Sequence, residues 1–543
     1  MTRLLVVFVT CLLIPLLPSS APADTTSPVT VSLPDDLLGE MHVPGVRLVA
    51  DLEQPYVEEE FLISGDAAVY NYASDPPVRG EIVEQGPPAP YTTRIIIVRP
   101  DEAAAFNGTL VMEWFNSTAG FDTAPVWDAS AEYFAREGIV YVGLSNANTS
   151  YGSTGGALDF LRDGCSLLGI LPPTCGTRYA SLSMDEPGQA YEMASQIANL
   201  LKSDSPNNPL PPGFDVERLF HAGQSQQGGS MITYASAFHF LSPFNDGYFV
   251  QAASSARPIN FGTPCEDPAA LAYPDCTPTL QGDQRRVRTD LPVPVYRVMT
   301  ESDVDRRAMA DDTRQEDTDT FRYYEVPGTA HLTVHEDVEV LPDWLAAALG
   351  LGPGPLFLED TCQFPLNTLA DGPVVGGYVY NAMWRNMEWQ VRFGIRPPHG
   401  DLIEVVEGDI ARDEYGNALG GIRLPYLDVP IASYGFPNVV DPGLPAFLQP
   451  LLGLACVLAG TVTDFDQETL DELYPRHGKY VGKVSHSAWR LVWDRFLLHE
   501  DSAAIIQEAY ESDIGIRCGL GFELAFLLPP LMWLYGRRQR RLR

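Results

Sequence analysis

Basic side chains are scarce in this sequence: 35 Lys and Arg stand against 71 Asp and Glu over 543 residues, a formal charge of −36. Such a surface repels phosphate backbones. The one Arg cluster, Arg537, Arg538, Arg540, Arg541 and Arg543, sits at the extreme C-terminus, so no nucleic-acid partner is expected. No fixed period runs through the 46 Gly and 46 Pro, which excludes a fibre or a solenoid. Cysteine is sparse at 8, no pair has C-x-x-C spacing, and no His stands in register with them, so zinc is not expected. His335 and Glu336 follow His331 closely but lack the helix and acid of H-E-x-x-H, and no other metal is expected. What is plentiful is apolar surface. At 45% hydrophobic and 20% charged residues the chain is globular, with room for one large or two ordinary domains.

Both ends read as targeting segments. Arg3 precedes an apolar run from Leu4 to Leu17, followed by Ser19, Ser20 and Ala21-Pro22-Ala23, which is the layout of a cleaved export signal over residues 1–23. Cys11 inside that run reads as filler. At the other end, residues 518–543 carry an apolar segment from Gly519 to Tyr535, broken by Glu523 and Pro529-Pro530, and then the Arg cluster. That segment is marginal against the roughly 20 residues of a membrane span. Its layout resembles the tripartite sorting tails of exported bacterial proteins and implies membrane attachment; a last helix packed on the body is the other reading. An exported chain is permitted disulfides. Cys165 with Cys175, and Cys265 with Cys276, each bracket a Pro-containing loop that a disulfide would pin. Cys362 with Cys456 is a third pair, and Cys518 is left over.

Strand and helix patterns alternate from about residue 90 to 345. Ile95 to Val98, Leu110 to Phe115, Ile139 to Leu144, Arg218 to Ala222 and Val293 to Met299 read as buried strands. Residues 126–137, Tyr191 to Leu201 and Ser230 to Phe240 read as helices. Apolar strands alternating with helices predict an α/β fold with a mainly parallel, doubly wound sheet, its reactive groups at the strands' carboxyl ends. Residues 24–350 form this core with a loop insertion near 146–185, and residues 351–511 form a helical and hairpin region packed on it.

Three strand ends carry the chemistry. The strand RLFHA enters Gly223-Gln224-Ser225-Gln226-Gln227-Gly228-Gly229 and then a helix, the context of a nucleophile elbow, although G-x-S-x-G would put Gly where Gln227 stands. A later strand ends in Thr300-Glu301-Ser302-Asp303, and VPGTAH ends in His331. Nucleophile, acid and base in that chain order is the α/β-hydrolase order. Ser225 is the candidate nucleophile, His331 the base and Asp303 the acid, with Glu301 as the alternative acid; Asp305 reads as a solvated partner for Arg306 or Arg307. The oxyanion donors are expected from the Gln226 N–H and from Asn116 or Ser117 after the strand LVMEWF. His221 reads as a packed core residue.

With Glu113-Trp114-Phe115-Asn116, Gly223 to Gln226, Thr300 to Asp303, Gly328-Thr329-Ala330-His331 and the run Asp413 to Pro425, the sequence resembles the bacterial α/β-hydrolase-domain proteins, known mostly by sequence. The resemblance spans roughly Val46 to Glu511 and implies a serine esterase of the α/β-hydrolase fold.

Acyl transfer by such a set needs no cofactor, and the expected partner is a small-molecule or lipid-like ester. An amidase or peptidase would use the same residues, and a non-catalytic surface binding protein on the same scaffold is the alternative of another class. DEYGNALGG reads as a hairpin turn or a cation loop. Tyr380, Met383, Trp384, Met387 and Val391 recur at helical spacing, as core does. Trp384, with Tyr151 and Tyr179, is expected to wall an apolar or aromatic ester site. Nothing in the sequence sets an oligomeric state.

Overall fold

The computed structural model describes residues 29–33, 49, 52–73, 80–118, 122–146, 181–253, 255–260, 286–304, 314–332, 339–341, 346, 350–352, 354, 356–367, 376–446 and 448–516. The segments 1–23 and 518–543, most of 146–185 with Tyr151 and Tyr179, Asp305, His335 and Glu336 lie outside these residues. Of the three expected cysteine pairs, one falls among them: Cys362 and Cys456 are joined at 2.07 Å between sulfurs, across 94 residues. Cys165 and Cys175 lie outside the described residues, as do Cys265 and Cys276, so neither of those two expected pairings has a counterpart in the described structure. Among the described residues no helix is long and apolar enough to cross a membrane, and no group of His, Cys, Asp and Glu is placed to hold a metal ion.

One sheet organises the chain. Its strands are β1 (Thr30–Ser32), β2 (Tyr56–Ala67), β3 (Ala89–Pro100), β4 (Thr109–Trp114), β5 (Val140–Leu144), β6 (Ser183–Met184), β7 (Arg218–Gln224), β8 (Gly247–Gln251), β9 (Val295–Thr300) and β10 (Phe321–Val326). The order across the sheet is β1-β2-β3-β5-β4-β7-β8-β9-β10, with β6 against β3. The first three strands and the β3–β5 pair are antiparallel; from β5 to β10 every pair is parallel. Parallel strands are covered on both faces, and the sequence obeys that rule: β4, β5, β7, β8, β9 and β10 are buried at every position.

The period-2 alternation of a strand sorts their side chains into two cores. Leu110, Met112, Val140, Val142, Tyr248, Val250, Val295 and Met299 join one core with α2 (Ala190–Leu201). Val111, Tyr141, Phe249, Tyr296 and Val298 join the other with α1 (Pro125–Glu137). The second core continues into α4 (Gly377–Phe393), α5 (His477–Trp493) and α6 (His499–Glu511). Tyr380, Met383, Trp384 and Met387 are buried there, and Val391 is partly buried. Trp384 stacks on Phe249 of β8 at 4.2 Å between ring centroids. Trp384 is therefore sheet core rather than a wall of the site; the helical spacing that brings it beneath β8 also turns it into the packed interior.

Glu113 shows how the sheet holds its first helix. The cap position of α1, Ala124, offers no side-chain acceptor, and Pro125 opens the helix. Glu113 points from β4 to that end and accepts the N–H groups of Val126 and Trp127, both at 2.9 Å, and the Tyr141 hydroxyl at 2.8 Å. Two orphan helix donors are thereby satisfied from a neighbouring strand. Full burial pushes the Glu113 carboxyl up from 4.5 to about 7, against the lowering by those three bonds. The folded protein then binds a proton that the unfolded chain has lost, so stability from this site falls as pH rises through that window. We expect the urea midpoint of the wild type, measured relative to Glu113→Gln, to drop as pH rises from about 4.5 to about 7. A difference that stays constant would show that Glu113 ionises in its ordinary range.

The DEYGNALGG segment is a hairpin turn. Asp413 Oδ1 accepts the N–H groups of Tyr415 and Asn417, each at 3.0 Å, and Asp413 Oδ2 pairs with Arg423 at 3.2 Å. Gly416 takes φ +86° between them. Its acid is thus engaged by the turn's own amides and by Arg423. The exit of the segment, Ile422 N–H, donates to Glu325 O on β10, so the hairpin is fastened to the strand that leads to His331.

Candidate active site

β7 ends by turning sharply into α3 (Gln226–Thr233), and Ser225 makes the turn with φ 54° and ψ −113°. A non-glycine residue at positive φ is strained and has to be held by its surroundings. Ser225 N–H donates to Gln251 O on β8, and Ser225 O accepts from Gly229 N–H. From Arg218 to His239 every residue is buried except Ser225. The glycines explain the departure from G-x-S-x-G. A side chain at 223 would meet Gln227 O at 2.5 Å, so Gly223 is required; at 228 it would meet Ala253 Cβ at 2.7 Å and Gln251 O at 2.9 Å. The helix leans on the end of β8 at residue 228, one position later than the usual pattern, and Gln227 fits in the buried turn before it.

The other two strand ends converge on this serine. His331 Nε2 lies 2.8 Å from Ser225 Oγ, and His331 Nδ1 lies 2.7 Å from Asp303 Oδ1. Asp303 Oδ2 accepts the Thr300 hydroxyl at 2.5 Å. Asp303 and His331 are both buried, and Gln224 Nε2 donates to His331 O at 2.9 Å, tying the His loop to the serine's own strand. Glu301 does not reach the imidazole. Its Oε2 accepts Gly328 N–H at 2.6 Å and its Oε1 pairs with Arg412 at 2.8 Å. Residues 301 and 303 share the one-turn helix Glu301–Val304, and two positions on a helix point about 200° apart, so only one of the two carboxylates is able to face the ring.

A model of the family described as "Alpha/beta hydrolase domain" matches residues 22–507. The chain belongs to this family. A search of curated proteins returned no match. Solved structures to which this α/β hydrolase is similar include a serine hydrolase without lid from Xanthomonas campestris, at 12% identity over 49% of this chain and 86% of that one with a TM-score of 0.25. Acetyl xylan esterase 1 from Thermoanaerobacterium sp. is another, at 12% identity over 42% of this chain and 53% of that one with a TM-score of 0.21.

Asn116 and Ser117, where the sequence reading expects an oxyanion donor, pack against the elbow. Asn116 N–H donates to Thr123 O, and the Asn116 amide group donates to Gln224 at 2.8 Å. Ser117 N–H and Ser117 Oγ both donate to Gln226 Oε1, at 3.1 and 3.0 Å. The loop after β4 is thus stitched to the elbow by side chains. The Asn116 backbone amide is taken by Thr123 O within the loop, and the Ser117 amide by Gln226 of α3. Gln226 opens α3 directly after Ser225, so its N–H is one of the first-turn donors of that helix. His221 is core, as its strand position predicts: it accepts from Trp114 Nε1 at 3.2 Å, and complete burial pushes it down to about 3, so it stays neutral.

Proposed function

We propose that this α/β hydrolase is an exported serine esterase that cleaves carboxylic esters through an acyl-enzyme, with Ser225 as nucleophile, His331 as base and Asp303 as acid. The observation that carries the reading is the continuous line Ser225 Oγ, His331 ring, Asp303 carboxylate, with both links at 2.7 to 2.8 Å and the serine on a strained turn. A serine hydroxyl attacks an ester carbonyl once an imidazole takes its proton. His331 Nε2 receives it and later returns it to the leaving alkoxide. Asp303 keeps Nδ1 protonated, which leaves Nε2 as the acceptor, and stabilises the imidazolium that forms. Gln226 N–H meets the developing oxyanion. Export is supported by the Cys362–Cys456 bond, which persists in oxidising compartments, and by the signal-like layout of residues 1–23.

Incubating the full chain with a fluorophosphonate tests the proposal. A single adduct mapped by mass spectrometry to Ser225 is expected, together with hydrolysis of nitrophenyl esters whose chain-length preference defines the acyl pocket. Folded protein that stays unlabelled, or an adduct on another serine, would overturn it.

A further inference from the structure

We infer that Glu301 and Arg412 form a clamp that positions His331, so that the hairpin region after the core sets the geometry of the base. This rests on the reading of His331 as general base. Glu301, the first residue after β9, is fully buried, and its carboxylate joins two elements distant in sequence. Oε2 accepts Gly328 N–H at 2.6 Å, three residues before His331, and Oε1 pairs with Arg412 at 2.8 Å.

The rest of the His loop is held from the same region. Gly328 O accepts Asn367 Nδ2 at 2.6 Å, and Leu332 N–H donates to Leu458 O at 2.9 Å. Arg412 is itself fixed. It opens the DEYGNALGG turn, bridges to Ala418 across it, and donates to Gly416 O at 3.0 Å. The turn's tight hydrogen bonding therefore has a task beyond its own stability. It delivers a guanidinium, about a third exposed, to a carboxylate that has no exposure of its own.

A buried carboxylate is costly unless a cation and hydrogen bonds compensate it. With Arg412 removed, Glu301 loses the cation 2.8 Å from its Oε1, and the carboxylate that holds Gly328 N–H is no longer fixed from the hairpin side. His331 sits three residues further on, and displacement of a catalytic group by about 1 Å can cost on the order of 100-fold in rate. Glu301 is thus a positioning residue that acts through Gly328.

The test compares wild type, Arg412→Ala, Arg412→Lys, Glu301→Gln and the double variant Arg412→Ala with Glu301→Gln on nitrophenyl acetate. Arg412→Ala is expected to lower kcat about tenfold with KM within about twofold, because the base moves while the ester pocket does not. Arg412→Lys is expected to recover part of the loss, and the double variant to be no slower than the worse single, since both break one clamp. Unchanged kcat in folded Arg412→Ala, or additive losses with KM rising in step and no recovery by Lys, would overturn the clamp while leaving the triad intact. A wild type without Ser225-dependent turnover would instead remove the reading beneath it.

Discussion

Replacing Ser225 by Ala is expected to lower turnover of a nitrophenyl ester by about 10⁴ to 10⁶-fold while the protein still folds. The size follows from the role proposed for the hydroxyl: it would be the atom that bonds to the acyl carbon, and it lies 2.8 Å from His331 Nε2. The intact fold follows from the backbone. Ser225 already holds φ 54°, a cost that Ala inherits without adding to it, and the turn is fixed by main-chain bonds from Ser225 N–H to Gln251 O and from Gly229 N–H to Ser225 O. The residual rate reports what Gln226 N–H and substrate binding supply alone. The measurement is kcat/KM beside a thermal melt; a loss smaller than about tenfold in folded protein would show that another nucleophile works at this site.

Four strands of the parallel half were legible because they are buried on both faces and read as near-continuous apolar runs, whereas β8, the five residues GYFVQ, was too short to stand out. β4, β5, β7 and β9, with α1 and α2, fall within one to three residues of where the pattern puts them. β2 was not. Its sequence YVEEEFLISGDA reads as polar, yet it pairs with β3 over its whole length, and Glu60 is buried because Arg94 of β3 lies 3.3 Å away. β10 hides the same way: FRYYEV carries Arg322 and Glu325, and Glu325 is matched by Arg314 at 2.7 Å, a partner that periodicity cannot register. The site follows this division. Ser225 stands at the end of a strand that a local pattern marks, and His331 was read from the segment VPGTAH rather than from the strand before it. The engagement of Ser117 by Gln226, and of Glu301 by Arg412, depends on side chains more than 100 positions apart, where no local spacing carries the information.

Asp303→Asn is expected to lower kcat/KM by about 10⁴-fold, and the reason separates the two acids that two-residue spacing left open. The carboxylate accepts from His331 Nδ1 through Oδ1 and from Thr300 Oγ1 through Oδ2. An amide keeps the shape but offers only one acceptor. If its NH₂ faces the ring, Nδ1 becomes the acceptor and the proton moves to Nε2, which then has no lone pair for the Ser225 proton. If its oxygen faces the ring, the tautomer survives, but the charge that stabilises the imidazolium is gone. Both outcomes act on the proton transfer, so the loss should sit in kcat and ease as rising pH favours a serine alkoxide. Glu301→Gln, measured beside it, keeps an acceptor for Gly328 N–H and never touches the ring, so its loss should stay near the tenfold expected of a displaced base. The ratio of the two losses, about a thousandfold, is the quantity to measure; near-equal losses would mean that the carboxylate at 301 supports the imidazole as much as the one at 303.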